Sequence, residues 1–158
     1  MYTNLELKAT TMDKSKLKET LLALEQQIID QAELNYEEYL SSSQLDETEP
    51  IDDGEQSMAR ESADITSKLD DQIHEHTEHL EALKGMDFGP ADSVRPGAVV
   101  KTKNRYMFIG VSKPKFKFED KQFIGVSTDA PIYQCMHGRK AGDVCVFNNT
   151  KFEIQEIY

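Results

Sequence analysis

LSSSQLDETEPIDDGEQSMAR, from Leu40 to Arg60, is the stretch that decides how this chain is organised. Between Asp46 and Glu55 it holds six acids, Asp46, Glu47, Glu49, Asp52, Asp53 and Glu55, and no base. Clustered serines at Ser41, Ser42 and Ser43 compete for backbone hydrogen bonds, and Pro50 and Gly54 interrupt regular structure, so the chain turns here. On the upstream side Leu17, Leu21, Leu24 and Ile28 step by four, three and four, continuing loosely through Ala32 to Tyr39. Asp13 is placed to cap that helix. Residues 1–12 show no period and read as a frayed lead-in. On the downstream side Met58, Ile65, Leu69, Ile73, His76, Leu80 and Leu83 keep the same spacing to Lys84. Asp53 and Gln56 resemble a capping box at its start, and Gly85 suits its end. Each helix is about 30 residues, or about 45 Å at about 1.5 Å per residue. The apolar stripes are narrow, like coiled-coil seams, and neither buries enough alone. The expectation is an antiparallel helical hairpin over residues 1–84 with an acidic tip near 44–55.

Residues 85–96, GMDFGPADSVRP, carry two Gly and two Pro and read as a linker. From Gly97 the period changes to two. Strands are expected near 98–103, 105–111, 121–127, 143–147 and 151–157, with Asn148-Asn149 as a hairpin turn that tolerates φ > 0. A short helix is expected at about Pro131 to Met136, with Pro near its first turn, Asp129 as its cap and His137-Gly138 closing it. Residues 97–158 therefore form a small sheet domain, and the whole chain is α+β.

Charge divides the same way. The chain carries −11 overall, but residues 1–95 hold 8 Lys/Arg against 23 Asp/Glu and residues 96–158 hold 10 against 6. The acidic part would repel a phosphate backbone and complements a basic cleft or a metal ion. No apolar run is long enough to span a bilayer, and the first residues have no signal-peptide core, so a cytoplasmic protein is expected. Cys135 and Cys145 form no Cys-x-x-Cys and are expected as reduced thiols in a small core.

Few patterns carry chemistry. His74, His76 and His79 lie on the second helix, where 76 and 79 are one turn apart and 74 points elsewhere. Helical metal sites more often use i, i+4 pairs with a supporting acid, so the expectation is a solvated face with one histidine in the seam. Lys113-Pro-Lys-Phe-Lys-Phe118 alternates base and aromatic, which suits single-stranded nucleic acid, yet an edge strand blunted by Lys and Pro explains it as well and is preferred. No phosphate loop, Gly-x-Ser-x-Gly or metalloprotease motif is present. The acidic tip remains. A plain charged turn gains nothing from like charges that repel by a few tenths of a kcal/mol per pair. Carboxylates on a long arm suit completion of a Mg²⁺ site held elsewhere, because that ion prefers hard oxygen ligands.

The layout resembles the Gre transcript-cleavage factors of bacteria, which join a coiled-coil hairpin to a C-terminal domain of FKBP-like fold. Pro131-Ile-Tyr-Gln-Cys-Met-His-Gly-Arg-Lys-Ala-Gly-Asp-Val144 is similar to the family's Ser-Pro-Ile-x-x-Ala-Leu-x-Gly-Lys-Lys-x-Gly-Asp-x-Val signature, with Ala130 in place of the serine and Cys135-Met136 in place of Ala-Leu. Val94 to Val100 resembles the family's lead into its first strand, and Phe152 to Ile157 its closing strand. The family tip reads Asp-Leu-x-Glu-Asn-Ala-Glu-Tyr-x-x-Ala-Arg-Glu. With its Ala-Arg-Glu on Ala59-Arg60-Glu61, its acids fall without a gap on Glu49, Asp52 and Glu55. Pro50, Asp53 and Gln56 depart from the family's leucine, asparagine and tyrosine, and Arg60 is the one base near the tip.

The resemblance implies a non-enzymatic partner of bacterial RNA polymerase, docked at the rim of its secondary channel through Asp129, Pro131 and Ile132. The hairpin would enter the channel and bring Glu49 and Asp52, supported by Asp53 and Glu55, to the Mg²⁺ of the polymerase. That ion activates the water that cleaves backtracked RNA, and the nascent RNA 3′ end would lie nearby. No stable metal of the chain's own and no membrane contact is expected. A channel-plugging inhibitor of transcription stays open beside this, as do an FKBP-like prolyl isomerase and a coiled-coil adaptor.

Overall fold

The computed structural model describes residues 12–43 and 53–158, except for the side chains of residues 42, 43, 53–59 and 62. Two long helices, α1 (Lys14–Ser43) and α2 (Asp53–Gly85), precede a seven-strand region. Its strands are β1 (Val99–Lys101), β2 (Tyr106–Gly110), β3 (Lys113–Phe118), β4 (Lys121–Ser127), β5 (Val144–Phe147), β6 (Thr150–Glu153) and β7 (Glu156–Ile157), with a short helix α3 (Pro131–Met136) between β4 and β5. The chain is α+β, with a helical N-terminal part and a C-terminal part in which antiparallel pairing dominates. Among the described residues no helix is long and apolar enough to cross a membrane.

Described residues 12–21 and Ala82–Tyr158 make one compact unit, and Leu22–Glu81 make the other. In the helical unit the α1 seam differs from the expected lattice. Glu25 and Ile29 are the buried positions, together with Ala32, while Leu24 and Ile28 are only half-buried. From Leu21 through Glu25 to Ile29 the steps are i+4 and the step to Ala32 is i+3, so the ridge passes through a carboxylate. On α2 Ile65, Leu69, Ile73, His76, His79 and Leu80 are half-buried, as a narrow seam requires.

In the sheet-bearing unit α1 starts as the sequence indicated. The Lys16 amide donates to Asp13 Oδ1 at 3.1 Å and the Leu17 amide to the Asp13 carbonyl at 3.1 Å, which satisfies amides that a helix start otherwise leaves open. The main sheet runs β3-β4-β2-β1-β7, and β5-β6 forms a separate ribbon. All pairs are antiparallel except β2 with β4, where Tyr106 to Gly110 run parallel to Phe123 to Ser127. β3 passes to the far side and β4 returns between it and β2. That makes Lys113-Pro-Lys-Phe-Lys-Phe an edge strand, with a register shift between Lys113 and Phe116 that accommodates Pro114. Phe116 and Phe118 both pack on Phe123, at ring separations of 5.5 and 5.7 Å. Asn148 and Asn149, at φ 52° and 61°, turn β5 into β6, and Glu119 and Asp120, at 50° and 63°, do the same between β3 and β4.

The main sheet is covered on both faces. Val100, Met107, Ile109 and Val126 meet Tyr133 and Met136 of α3, with Val94, Cys145 and Ile154 completing that core. On the opposite face of β2, Phe108 stacks on Phe88 at 5.4 Å and 13°. Residues 85–96 are thus part of this unit's packing. Gly97, at φ 90°, shows how tightly they fit: a Cβ there would lie 1.9 Å from the Asp87 carbonyl oxygen. Cys145 is buried and Cys135 half-buried, both as free thiols. Burial, and then the hydrogen bond with Cys135, push the Cys145 thiol up to about 11.

Lys14, 7% exposed, donates from Nζ to the carbonyls of Gly89 at 2.9 Å and Tyr158 at 3.0 Å. Burial, followed by the nearby Arg95, lowers its pKa from 10.5 to about 8, against an opposing pull from Asp87. Below about pH 8 both the folded and unfolded chains hold this proton. Between about 8 and 10.5 only the unfolded chain does, so this group's contribution to stability rises with pH across that window. Urea unfolding of wild type and Lys14→Met should show wild type gaining on the variant between pH 8 and 10. A difference that stays flat would place the Lys14 pKa at its ordinary value.

Candidate functional site

The sequence pointed to three places, and the structure treats them differently. Glu49 and Asp52 lie outside the described residues. Asp53 and Glu55 fall in the first turn of α2 by their backbone, and their side chains lie outside the description. The flanks are clear: α1 has 30 residues, α2 has 33, and residues 44–52 connect them.

The docking segment is described in full. Asp129 and Pro131 are exposed, while Ile132 packs partly against the core beneath α3. Pro131 begins α3, where it lacks an amide that would have no helical partner anyway. The cap differs from expectation. Ala130 holds the N-cap position in extended conformation, with no side-chain cap bond. Asp129 sits one residue too early to cap, and its amide instead donates to Ser127 Oγ at 3.1 Å. At the other end the His137 amide donates to the Tyr133 carbonyl at 2.8 Å and Gly138 follows at φ 76°, so the expected closure is present.

The third place is the histidine group, and here the structure assembles more than the pattern suggested. His74 pairs with Glu78 on the same helix at 3.2 Å, with side chains 79% and 70% exposed, as a solvated face would. His76 and His79 turn the other way, towards Glu25 of α1, whose side chain is fully buried. The His76 Nδ1–H donates to Glu25 Oε2 at 2.5 Å. His79 Nδ1 lies 3.6 Å from Glu25 Oε1, too far for a hydrogen bond, and this buried nitrogen has no hydrogen-bond partner. The two rings meet edge-on at 5.2 Å and 82°. One ligand atom from each of the three residues can be chosen so that all lie within 4.8 Å of one another. Sequence reasoning missed this cluster because its acid is 51 residues away. The available signal was Ile29, whose spacing from Leu21 brings Glu25 into the seam.

No family model matches the chain, and no curated protein is similar to it in sequence. Among solved structures it is similar to the GreA factor homolog 1 (Gfh1) protein of Thermus thermophilus. The identity is 15% and the TM-score 0.33, over 90% of this chain and 93% of that one.

Proposed function

We propose that this chain is a Gre-type factor of bacterial RNA polymerase, which enters the secondary channel by its helical pair and stimulates cleavage of backtracked RNA. The observation that carries the reading is the placement of six acids within ten residues at the junction of two helices of 30 and 33 residues. A helical pair of that length is a delivery arm of about 45 Å. Its tip offers only oxygen donors, which fits Mg²⁺ better than a borderline metal. The resemblance of residues 131–144 to the family signature supplies the second support, and the exposed Asp129 and Pro131 beside it are the proposed contact with the channel rim.

In this reading Glu49 and Asp52 complete the coordination of a Mg²⁺ at the polymerase centre, with Asp53 and Glu55 keeping the local field negative. The ion supplies an activated water and stabilises the charge that develops on the scissile phosphate. The chain itself catalyses nothing alone. The test is cleavage of RNA in stalled elongation complexes, comparing wild type with Glu49→Ala/Asp52→Ala. Wild type should accelerate cleavage and the double variant should lose that acceleration on the order of 100-fold, the scale on which misplaced catalytic groups act. The same proteins in multi-round transcription distinguish a cleavage factor from an inhibitor. Absence of stimulation by wild type at saturating concentration, together with reduced transcript yield, would overturn the cleavage reading in favour of a channel-blocking one.

A further inference from the structure

A buried acid between two histidines of a facing helix has an ordinary explanation, namely a carboxylate satisfied by imidazole. That explanation accounts for His76, which donates at 2.5 Å, and leaves His79 out: its Nδ1 is buried, faces Glu25 Oε1 at 3.6 Å and has no hydrogen-bond partner. An unpartnered ring nitrogen beside a carboxylate oxygen at that separation is a pair of donors that a cation can bridge. We propose that Glu25, His76 and His79 form a binding site for a zinc-like divalent cation that links the two helices of the hairpin.

The donor chemistry selects the ion. Two imidazole nitrogens and one carboxylate oxygen are a borderline set that suits Zn²⁺, while Mg²⁺ and Ca²⁺ call for oxygen ligands throughout. The geometry is close to what the ion requires. Ligand atoms at about 2.0–2.1 Å from a tetrahedral centre stand about 3.3 Å apart, and the His79 Nδ1 to Glu25 Oε1 separation is 3.6 Å. The 2.5 Å contact of His76 is a hydrogen bond, which opens as the ion takes the place of the proton. That proton moves to Nε2 by way of solvent, so the imidazole stays neutral and offers Nδ1 to the ion. The side chains of His76 and His79 remain 18% and 19% exposed. Water therefore has access to the fourth position, and the ion has a way in.

Because the ligands come from α1 and α2, the ion binds the paired helices and not the unfolded chain, and so stabilises the hairpin. This site is separate from the tip acids in donor type and in sequence. It does not depend on the polymerase reading, and its test uses the purified full chain alone.

The chain is freed of metal with a chelator, then titrated with Zn²⁺ by calorimetry and with Co²⁺ by visible absorption. One ion per chain is expected, with a Co²⁺ spectrum of the tetrahedral type and a higher urea midpoint. Glu25→Gln is the obvious variant but risks unfolding, since that side chain is fully buried. His79→Gln and His76→Gln touch solvent and are the decisive ones. Each should weaken binding at least about tenfold while far-UV circular dichroism stays at the wild-type level. His74→Gln and Glu49→Ala/Asp52→Ala should bind as wild type does. Absence of binding by wild type, retention of full affinity in His76→Gln and His79→Gln, or loss confined to the tip or His74 variants would each overturn the site.

Discussion

Phe108→Ala should cost about 3–5 kcal/mol, the range for removing a fully buried aromatic side chain and leaving its cavity. The ring is completely excluded from solvent, in the middle strand of the five-stranded sheet. It stands opposite Val99 on β1 and Gly125 on β4, and Phe88 lies flat upon it. Those neighbours cannot close the gap. Gly125 has no side chain to lend and is itself pressed by the Val111 carbonyl, where a Cβ would meet oxygen at 2.3 Å. Phe88 would also lose a stacked partner, worth about 0.5–1.5 kcal/mol beyond the area buried. Tyr106, Tyr133 and Tyr158 lie in this unit and Tyr36 and Tyr39 in the helical one, so tyrosine fluorescence in a Tyr36→Phe/Tyr39→Phe background reports on the sheet-bearing unit during denaturant unfolding. Phe116→Ala is the control. That ring is only half-buried on the edge strand, and its loss should cost less than half as much. Equal effects would mean that Phe108 does not anchor the second face of the sheet.

His76→Leu, measured with chelator present, should destabilise the helical unit by about 2 kcal/mol. Glu25→Leu/His76→Leu should recover most of that loss or surpass wild type. The two positions differ because their burial does, 18% exposed for His76 and 0% for Glu25. Glu25 is fully enclosed, and the 2.5 Å bond from His76 is a hydrogen bond to a charged group, of the kind worth about 1.5–3 kcal/mol. Removing the donor takes from a fully enclosed carboxyl group its short bond to His76. Removing both polar groups turns positions 25 and 76 into an ordinary apolar pair, and apolar replacement of buried polar pairs is often neutral or better. Glu25→Leu alone should cost less than His76→Leu, since it leaves imidazoles that are 18% and 19% exposed in place of a carboxyl group that is fully buried. Thermal unfolding followed by far-UV circular dichroism of the four proteins completes the cycle. If the double variant is less stable than His76→Leu, the cluster contributes packing that leucine cannot replace.

Several elements were legible because a single local cause produces each of them. Asp13 caps α1 through its own side chain and carbonyl. Asn148-Asn149 turns the chain because Asn tolerates left-handed backbone. The alternation from Lys113 to Phe118 marks an edge strand because Lys and Pro are what such an edge carries. The cap of α3 falls one position after Asp129, since Pro131 removes an amide at the helix start and lets Ala130 sit there without a side-chain acceptor. Residues 85–96 read as a linker from their Gly and Pro content. Yet Phe88 and Val94 are packed in the sheet-bearing unit, because a sheet whose middle strands are apolar on both faces needs cover for the second one.

Local sequence accounts for the α+β division, the two long helices and the period-two strands. Each of these follows from residues within a few positions of one another. Only the tertiary structure decided the phase of the α1 seam, the parallel pairing of β2 with β4, and the meeting of Glu25 with His76 and His79. Those outcomes depend on which residues from distant parts of the chain face each other. A carboxylate at position 25 looks like a solvated residue until the helix opposite it is known to present two imidazoles.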